Sequence, residues 1–246
     1  MRTLLFSLLL LLGYQLHAQT TLYLIGDSTM SDKKDPQINP ETGWGQVLPE
    51  FLKGDIKVEN HAVNGRSTKS FIDEGRWDKV YQKLQKGDYV FIQFGHNDQK
   101  ENSPKRFTNP STAYRKNLEF FVKQTLSKAA TPILFTPLVR RNFNKDMSLV
   151  DTHGIYPLTV RILSLEMSIQ LIDLQTLSEH LVIDYGYENS KDLFLHLKRN
   201  ENSYYPKGKK DNTHLSRLGA NKIAFLVVKE LKRSGILSNY IKDSVQ

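Results

Sequence analysis

Five short apolar runs, Leu22–Gly26, Ile56–His61, Tyr89–Phe94, Pro132–Pro137 and Gln170–Leu174, recur at wide intervals along the chain. Their length and their β-forming residues suit buried strands. Between and after them, apolar residues recur at helical spacing: Trp77, Val80, Tyr81 and Leu84; then Tyr114, Leu118, Phe121 and Val122; then Ile223, Leu226, Val227 and Leu231. Strands joined through amphipathic helices become parallel neighbours, with helices covering both faces of the sheet. The pattern predicts a three-layer α/β/α arrangement around a five-stranded parallel sheet. No repeat, low-complexity tract or Pro/Gly-rich linker divides it, so residues 19–246 are expected to form a single domain.

The first eighteen residues differ in kind. Arg2 precedes the apolar run Leu4–Leu12, and Leu16-His17-Ala18 supplies a small-residue exit, the pattern of a secretory signal peptide. The run is too short to cross a bilayer comfortably. The expectation is a periplasmic or extracellular protein with no membrane anchor after cleavage. The chain has no cysteine, which excludes a lipid-modified N-terminal Cys, a disulfide framework and a thiol nucleophile.

The formal net charge is +8, one unit of which belongs to Arg2. In an exported protein this balance suits an acidic polysaccharide better than nucleic acid. It serves solubility equally well, because the basic residues are scattered and the longest basic run is Lys207–Lys210.

At the end of the first run stands Gly26-Asp27-Ser28-Thr29. In open α/β sheets ligands bind beyond the carboxyl ends of the strands, which places Ser28 where chemistry is done. By itself Ser28 could equally cap a helix. Asp211-Asn212-Thr213-His214 changes the balance. In a turn, Asp211 can accept a hydrogen bond from His214 Nδ1–H, leaving Nε2 free to take a proton from a serine. Asp173, at the end of the fifth run, is a rival acid, and the spacing favours Asp211. After the second run, Asn64-Gly65 is a strong turn signal whose glycine lets its N–H approach a ligand closely. After the third, Gly95-His96-Asn97-Asp98 offers the Asn97 amide at a strand end. Asp27 and Asp98 suit the pinning of backbone turns.

Gly26-Asp27-Ser28, Gly65, Gly95-His96-Asn97-Asp98 and Asp211-Asn212-Thr213-His214 resemble, in order, the four blocks of the SGNH (GDSL-like) hydrolases, with Thr29 where that family often has leucine. Within the superfamily, Gly43-Trp44-Gly45, Phe71–Trp77, Val139–Phe143 and Val150–Gly154 are similar to rhamnogalacturonan acetylesterases. The resemblance implies a flavodoxin-like three-layer fold and a metal-free, cofactor-free acyl transfer. Ser28 would attack an ester carbonyl, His214 would serve as base and then acid, and Asp211 would orient the imidazole. The N–H groups of Ser28 and Gly65 and the side-chain amide of Asn97 would form the oxyanion hole. The implied partner is an acetylated acidic polysaccharide or oligosaccharide.

Beyond these blocks the residues leave alternatives open. Arg140, Arg141 and His153 could meet uronate carboxylates or belong to a solvated loop. Trp44 could stack on a sugar ring or pack in the core, while Trp77 reads as core. His61 and His96 are expected to line the site or bond locally, and His180 and His196 read as ordinary helix residues. No clustered carboxylate–histidine pattern suggests a zinc site. The polar stretches Gln99–Pro110, Arg140–Gly154 and Asn200–Thr213 read as long loops overhanging the edge that carries Ser28.

Overall fold

Alternation along the first strand sorts its side chains between two cores. Leu22 and Leu24 of β1 (Thr21–Gly26) enter one and Tyr23 and Ile25 the other, and every residue of the strand is buried. Such a strand lacks a polar face because both of its sides are covered. The computed structural model describes residues 19–245, and the expected signal peptide lies outside them.

Strand β1 pairs with β2 (Lys57–Asn60) on one side and β3 (Tyr89–Gln93) on the other. Strands β4 (Thr131–Phe135) and β5 (Leu171–Ile172) extend the sheet beyond β3. All four pairings are parallel, in the order β2-β1-β3-β4-β5. The order reverses at β1, so a crevice opens between the carboxyl ends of β1 and β3, where ligands bind in doubly wound sheets. The fifth strand is shorter than the sequence suggests, because Asp173 already turns to cap the following helix, accepting from Thr176 N–H.

Seven α-helices are described: α1 (Trp44–Val47), α2 (Thr68–Asp73), α3 (Arg76–Tyr81), α4 (Arg115–Ser127), α5 (Tyr156–Met167), α6 (Leu174–Asn189) and α7 (Arg217–Arg233). Trp44, Leu174, Val182, Ile223, Val227 and Leu231 pack with Leu22, Leu24, Phe91 and Phe135, which puts α1, α6 and α7 on one face. Phe71, Trp77, Phe121 and Val160 pack with Tyr23, Ile25, Val90 and Ile92, which puts α2 to α5 on the other. The result is a three-layer α/β/α fold.

A second, two-stranded sheet corrects the sequence reading. Antiparallel β6 (Phe194–Leu197) precedes what reads as the Asn200–Thr213 loop and β7 (Lys209–Leu215) takes in its end, and His196 lies in β6 rather than in a helix. A polar ribbon like Lys209-Lys210-Asp211-Asn212 is held by backbone pairing, so its apolar pattern gives little sign of it. The ladder pairs Leu195 with Asp211 and Phe194 with Leu215. One step on β6 therefore spans four on β7, and residues 212–214 bulge out of the ribbon.

Candidate active site

The turn that carries Ser28 starts where β1 lies tight against β3. A Cβ on Gly26 would stand 2.7 Å from the Gln93 carbonyl oxygen, so only glycine lets the strand leave the sheet there. Asp27 then folds the chain over itself: its Oδ1 accepts from Thr29 N–H at 2.9 Å and from the Thr29 hydroxyl at 2.8 Å. Its carbonyl accepts from Ser31 N–H at 3.1 Å. Ser28 sits at the tip of this turn, at the crevice between β1 and β3.

The bulge in β7 delivers the imidazole. Asp211 Oδ1 accepts the N–H groups of Thr213 at 2.9 Å and His214 at 3.0 Å, an arrangement that closes the bulge. Its other oxygen accepts from His214 Nδ1 at 2.9 Å, and His214 Nε2 lies 3.0 Å from Ser28 Oγ. Burial alone would push the Asp211 carboxyl upward. The side-chain and backbone hydrogen bonds from His214 outweigh it and hold the group well below the usual carboxylate range. Fixing Nδ1 as the donor leaves the Nε2 lone pair facing the serine hydroxyl. Asp173 plays no part, being tied to Arg161 at 2.8 Å and to Thr136 at 2.9 Å beside β5.

Two further turns are drawn against Ser28. Val63 N–H donates to the Gly26 carbonyl at 3.0 Å, which seats the Asn64-Gly65 turn beside the Ser28 turn. Gly65 has φ +76°, a left-handed conformation open to glycine at little cost. Asn97 Nδ2 donates to the Arg66 carbonyl at 3.1 Å. A primary amide has two hydrogens, so one is left over from this bond. Among the described residues, neither the Ser28 nor the Gly65 N–H donates to a protein acceptor.

Beneath these turns lies a buried polar layer. Asp27 accepts from His96 Nδ1 at 3.2 Å. Burial opposes the Asp27 charge, yet His96 and Thr29 hold its carboxyl down at about 2. Burial also pushes the His96 imidazole below its usual value and drives that of His153 down to about 2. The two rings meet edge to face, 4.7 Å between centroids. Asp98 Oδ1 accepts from the Thr68 N–H and hydroxyl at 3.0 and 2.5 Å and from the Thr108 hydroxyl at 2.7 Å. Despite these bonds, burial raises the Asp98 carboxyl to about 7. Asp27 and Asp98 are thus turn-pinning residues, and His61 bonds locally to Glu59 at 3.0 Å.

Several candidate substrate contacts are corrected. Trp44 is wholly buried, with Nε1 donating to Gln93 at 2.6 Å, and presents no face to a sugar. Arg141 is 4% exposed. It donates to Ser190 at 2.9 Å, to the Tyr187 carbonyl and to Asn212 at 3.3 Å, so it ties the loop after β4 to the β7 bulge. His153 is buried behind His96, which is itself 3% exposed. Arg140 alone of that set reaches the rim, where Nη1 donates to the Thr152 hydroxyl at 3.0 Å.

Residues that sequence reasoning passed over complete the rim. Arg106 Nη1 approaches Asn97 Oδ1 at 3.5 Å, and Lys100 carries a pKa lowered first by burial and then by Arg106 and Arg140. Among the described residues, these three cations have no carboxylate within salt-bridge reach. Across Ser28, a hollow of about 400 Å³ is walled by Lys33, Glu41, Asn64, Tyr204 and Tyr205. Apart from Asn64, which belongs to the Asn64-Gly65 turn signal, no motif marks these positions; they lie in polar loops that only the fold brings together. No group of three His, Cys, Asp or Glu side chains among the described residues is arranged to hold a metal ion.

Comparison with known proteins gives this geometry a family context. Residues 22–227 match the model for the GDSL-like Lipase/Acylhydrolase family. A rhamnogalacturonan acetylesterase of Bacillus subtilis, RhgT, is 39% identical over 215 residues, covering 87% of this chain and 90% of its own. A probable rhamnogalacturonan acetylesterase of the same organism, YesY, is 34% identical over 87% of this chain and 94% of its own. Among solved structures, the YxiM protein of Bacillus subtilis superposes with a TM-score of 0.74 at 27% identity, and the match covers 89% of this chain and 58% of that one. Axe2, an acetylxylan esterase from Geobacillus stearothermophilus, gives 0.62 at 18% identity over 86% and 94%, a likeness of fold.

Proposed function

The chain belongs to the GDSL-like lipase/acylhydrolase family, and from that premise we propose that it is an exported serine esterase that removes acetyl groups from rhamnogalacturonan or a closely related pectic polysaccharide. The observation that carries the reading is the linear relay from Asp211 through His214 to Ser28, with contacts of 2.9 and 3.0 Å.

His214 Nε2 takes the proton as Ser28 Oγ bonds to the acetyl carbon, and the carbonyl oxygen gains the negative charge. Donors aimed at that oxygen from Ser28, Gly65 and Asn97 stabilise the charge as it develops. The ester C–O bond then breaks, and the leaving sugar oxygen receives the proton from His214. Water, deprotonated by the same imidazole, attacks the acetyl carbon; the bond from that carbon to Ser28 Oγ then breaks, His214 returns the proton to Oγ, and acetate leaves. Asp211 keeps the ring in one tautomer and stabilises its cationic form in both halves.

The rim supports an acidic substrate. Lys100, Arg106 and Arg140 place positive charge beside the donors from Gly65 and Asn97, where a uronate next to the acetylated sugar would lie. The activities of RhgT and YesY, as named, point to the same substrate class. Export rests on the N-terminal Arg2–Ala18 pattern.

The test has two parts. Brief exposure to a fluorophosphonate, followed by intact-mass and peptide mapping, is expected to give one adduct on Ser28 that is absent from His214→Ala. Acetate release from acetylated pectin should then exceed cleavage of long-chain nitrophenyl esters. A preference for long acyl chains would overturn the deacetylase reading in favour of a lipid esterase.

A further inference from the structure

One cation beside the nucleophile has no part in the chemistry above. The Lys33 side chain is 2% exposed, a burial that a lysine reaches only with its charge and donors matched. Its Nζ donates to the Ser28 carbonyl, to Ser31 Oγ at 3.0 Å and to Asn64 Oδ1 at 2.8 Å, and it pairs with Glu41 Oε1 at 2.7 Å. Ser31 Oγ adds its own bond to Asn64 Oδ1 at 2.6 Å. The ammonium thus sits in the seam between the nucleophile turn and the turn that ends in Gly65. Its carboxylate partner, Glu41, comes within 4.0 Å of His214 Nε2.

We propose that Lys33 is a positioning residue for the esterase reaction, locking the Asn64-Gly65 turn onto the Ser28 turn and neutralising the Glu41 carboxylate that faces His214. The proposal rests on the esterase reading and adds two roles to it. The first concerns charge that appears only in the transition state. Gly65 N–H helps kcat only if it is already aimed when the oxyanion forms, and its neighbour Asn64 is held by the Lys33 ammonium. The second concerns the imidazole. A bare carboxylate 4.0 Å from Nε2 would favour the protonated ring, which cannot accept the serine proton.

Other titratable or charged groups face His214 without depending on Lys33. Asp211 lies on its own strand, with Lys209 Nζ 3.6 Å from that carboxylate. His96 approaches from the loop after β3, with Asp27 behind it. Burial pushes the Lys33 ammonium below its usual value and Glu41 pulls it back, as expected for a pair whose members depend on one another.

The experiment measures 4-nitrophenyl acetate hydrolysis by the full chain across the pH range. In Lys33→Met, kcat is expected to fall roughly 10- to 100-fold while KM moves less than about threefold. The acidic limb of kcat/KM should shift upward by about one pH unit. Adding Glu41→Gln should return the limb to its wild-type position and leave kcat low. Asn64→Ala, which cuts the lock and keeps the ion pair, should lower kcat with the limb in place. Full kcat in either single variant, or a limb that Lys33→Met does not move, overturns the proposal. Should Lys33→Met fail to fold, kcat of the folded Asn64→Ala decides it. A wild-type chain that does not turn over the ester overturns the esterase reading as well, whereas an active wild type with indifferent variants overturns this proposal alone.

Discussion

Ser28 and His214 are 186 positions apart in the chain and 3.0 Å apart in space. The serine stands on the turn that ends β1 and the imidazole on the bulge of β7, so the contact joins the first strand to the last. Ser28→Ala is expected to lower kcat by about 10⁴-fold or more. Calorimetry with acetylated rhamnogalacturonan oligosaccharide should show binding retained. A variant that keeps a few per cent of its turnover would remove Ser28 from the nucleophile's role.

Asn97 gives one amide hydrogen to the Arg66 carbonyl at 3.1 Å, and the proposed mechanism assigns the other to the oxyanion. Asn97→Ala should therefore cost about 10²–10³ in kcat with a small change in KM. A loss of only a few-fold would assign the amide to holding the Arg66 turn instead.

Arg106 carries charge at the rim next to Asn97. In Arg106→Gln, kcat/KM on acetylated pectin at low ionic strength should drop roughly tenfold, several times more than on a neutral aryl acetate. The gap between the substrates should narrow in high salt, as screening requires. Equal losses on both substrates would mean that Arg106 acts through Asn97 alone.

Asp98 imposes a pH dependence on stability. Its carboxyl stands at about 7 in the fold against an ordinary value of 3.8. Between those values the folded chain holds a proton that the unfolded chain has released. Stability therefore falls as pH rises through this window, and the loss is complete above about pH 7. Asp98→Asn can keep the acceptor Oδ1, which receives the Thr68 and Thr108 bonds, and has no proton to lose. Urea unfolding at pH 5 and pH 8 should show the variant gaining on wild type by about 1–3 kcal/mol between the two. Parallel pH profiles would show that Asp98 keeps one charge state throughout.

Much of this architecture is legible in the sequence, for physical reasons that also mark where legibility ends. Strands buried on both faces leave unbroken apolar runs, so Leu22–Gly26 and Tyr89–Phe94 announce themselves, and Ser28 and Asn97 follow at their carboxyl ends. The Asp211–His214 spacing is readable because a hydrogen bond over three residues is a local matter. Helix α5 is less visible: Tyr156, Val160 and Leu163 form its buried stripe, while exposed Ile155, Leu158, Ile162 and Leu165 blur the amphipathic contrast. Strand β7 is hidden by polar composition, and β6, apolar but only four residues long, reads as well as part of a helix. Trp44 and Arg141 mislead because an aromatic ring or a guanidinium beside a motif serves packing and tethering as readily as binding. Lys33, Glu41 and Arg106 gain their meaning from neighbours supplied by other loops, which no spacing rule reports.

The mismatch in the β6–β7 ladder separates two parts of one hairpin. At its open end, where the strands part, Phe194 pairs with Leu215, both buried, and Ser216 caps α7, so the place of His214 is anchored in the core. At its closed end, the connecting residues 198–208 reach over the cleft, where Asn202 Nδ2 donates to the Ile38 carbonyl at 3.5 Å. Insertions or deletions at that tip leave the imidazole where it is. The hairpin is therefore a natural site for grafting: new tips can reshape what enters the groove while the relay behind them stays intact.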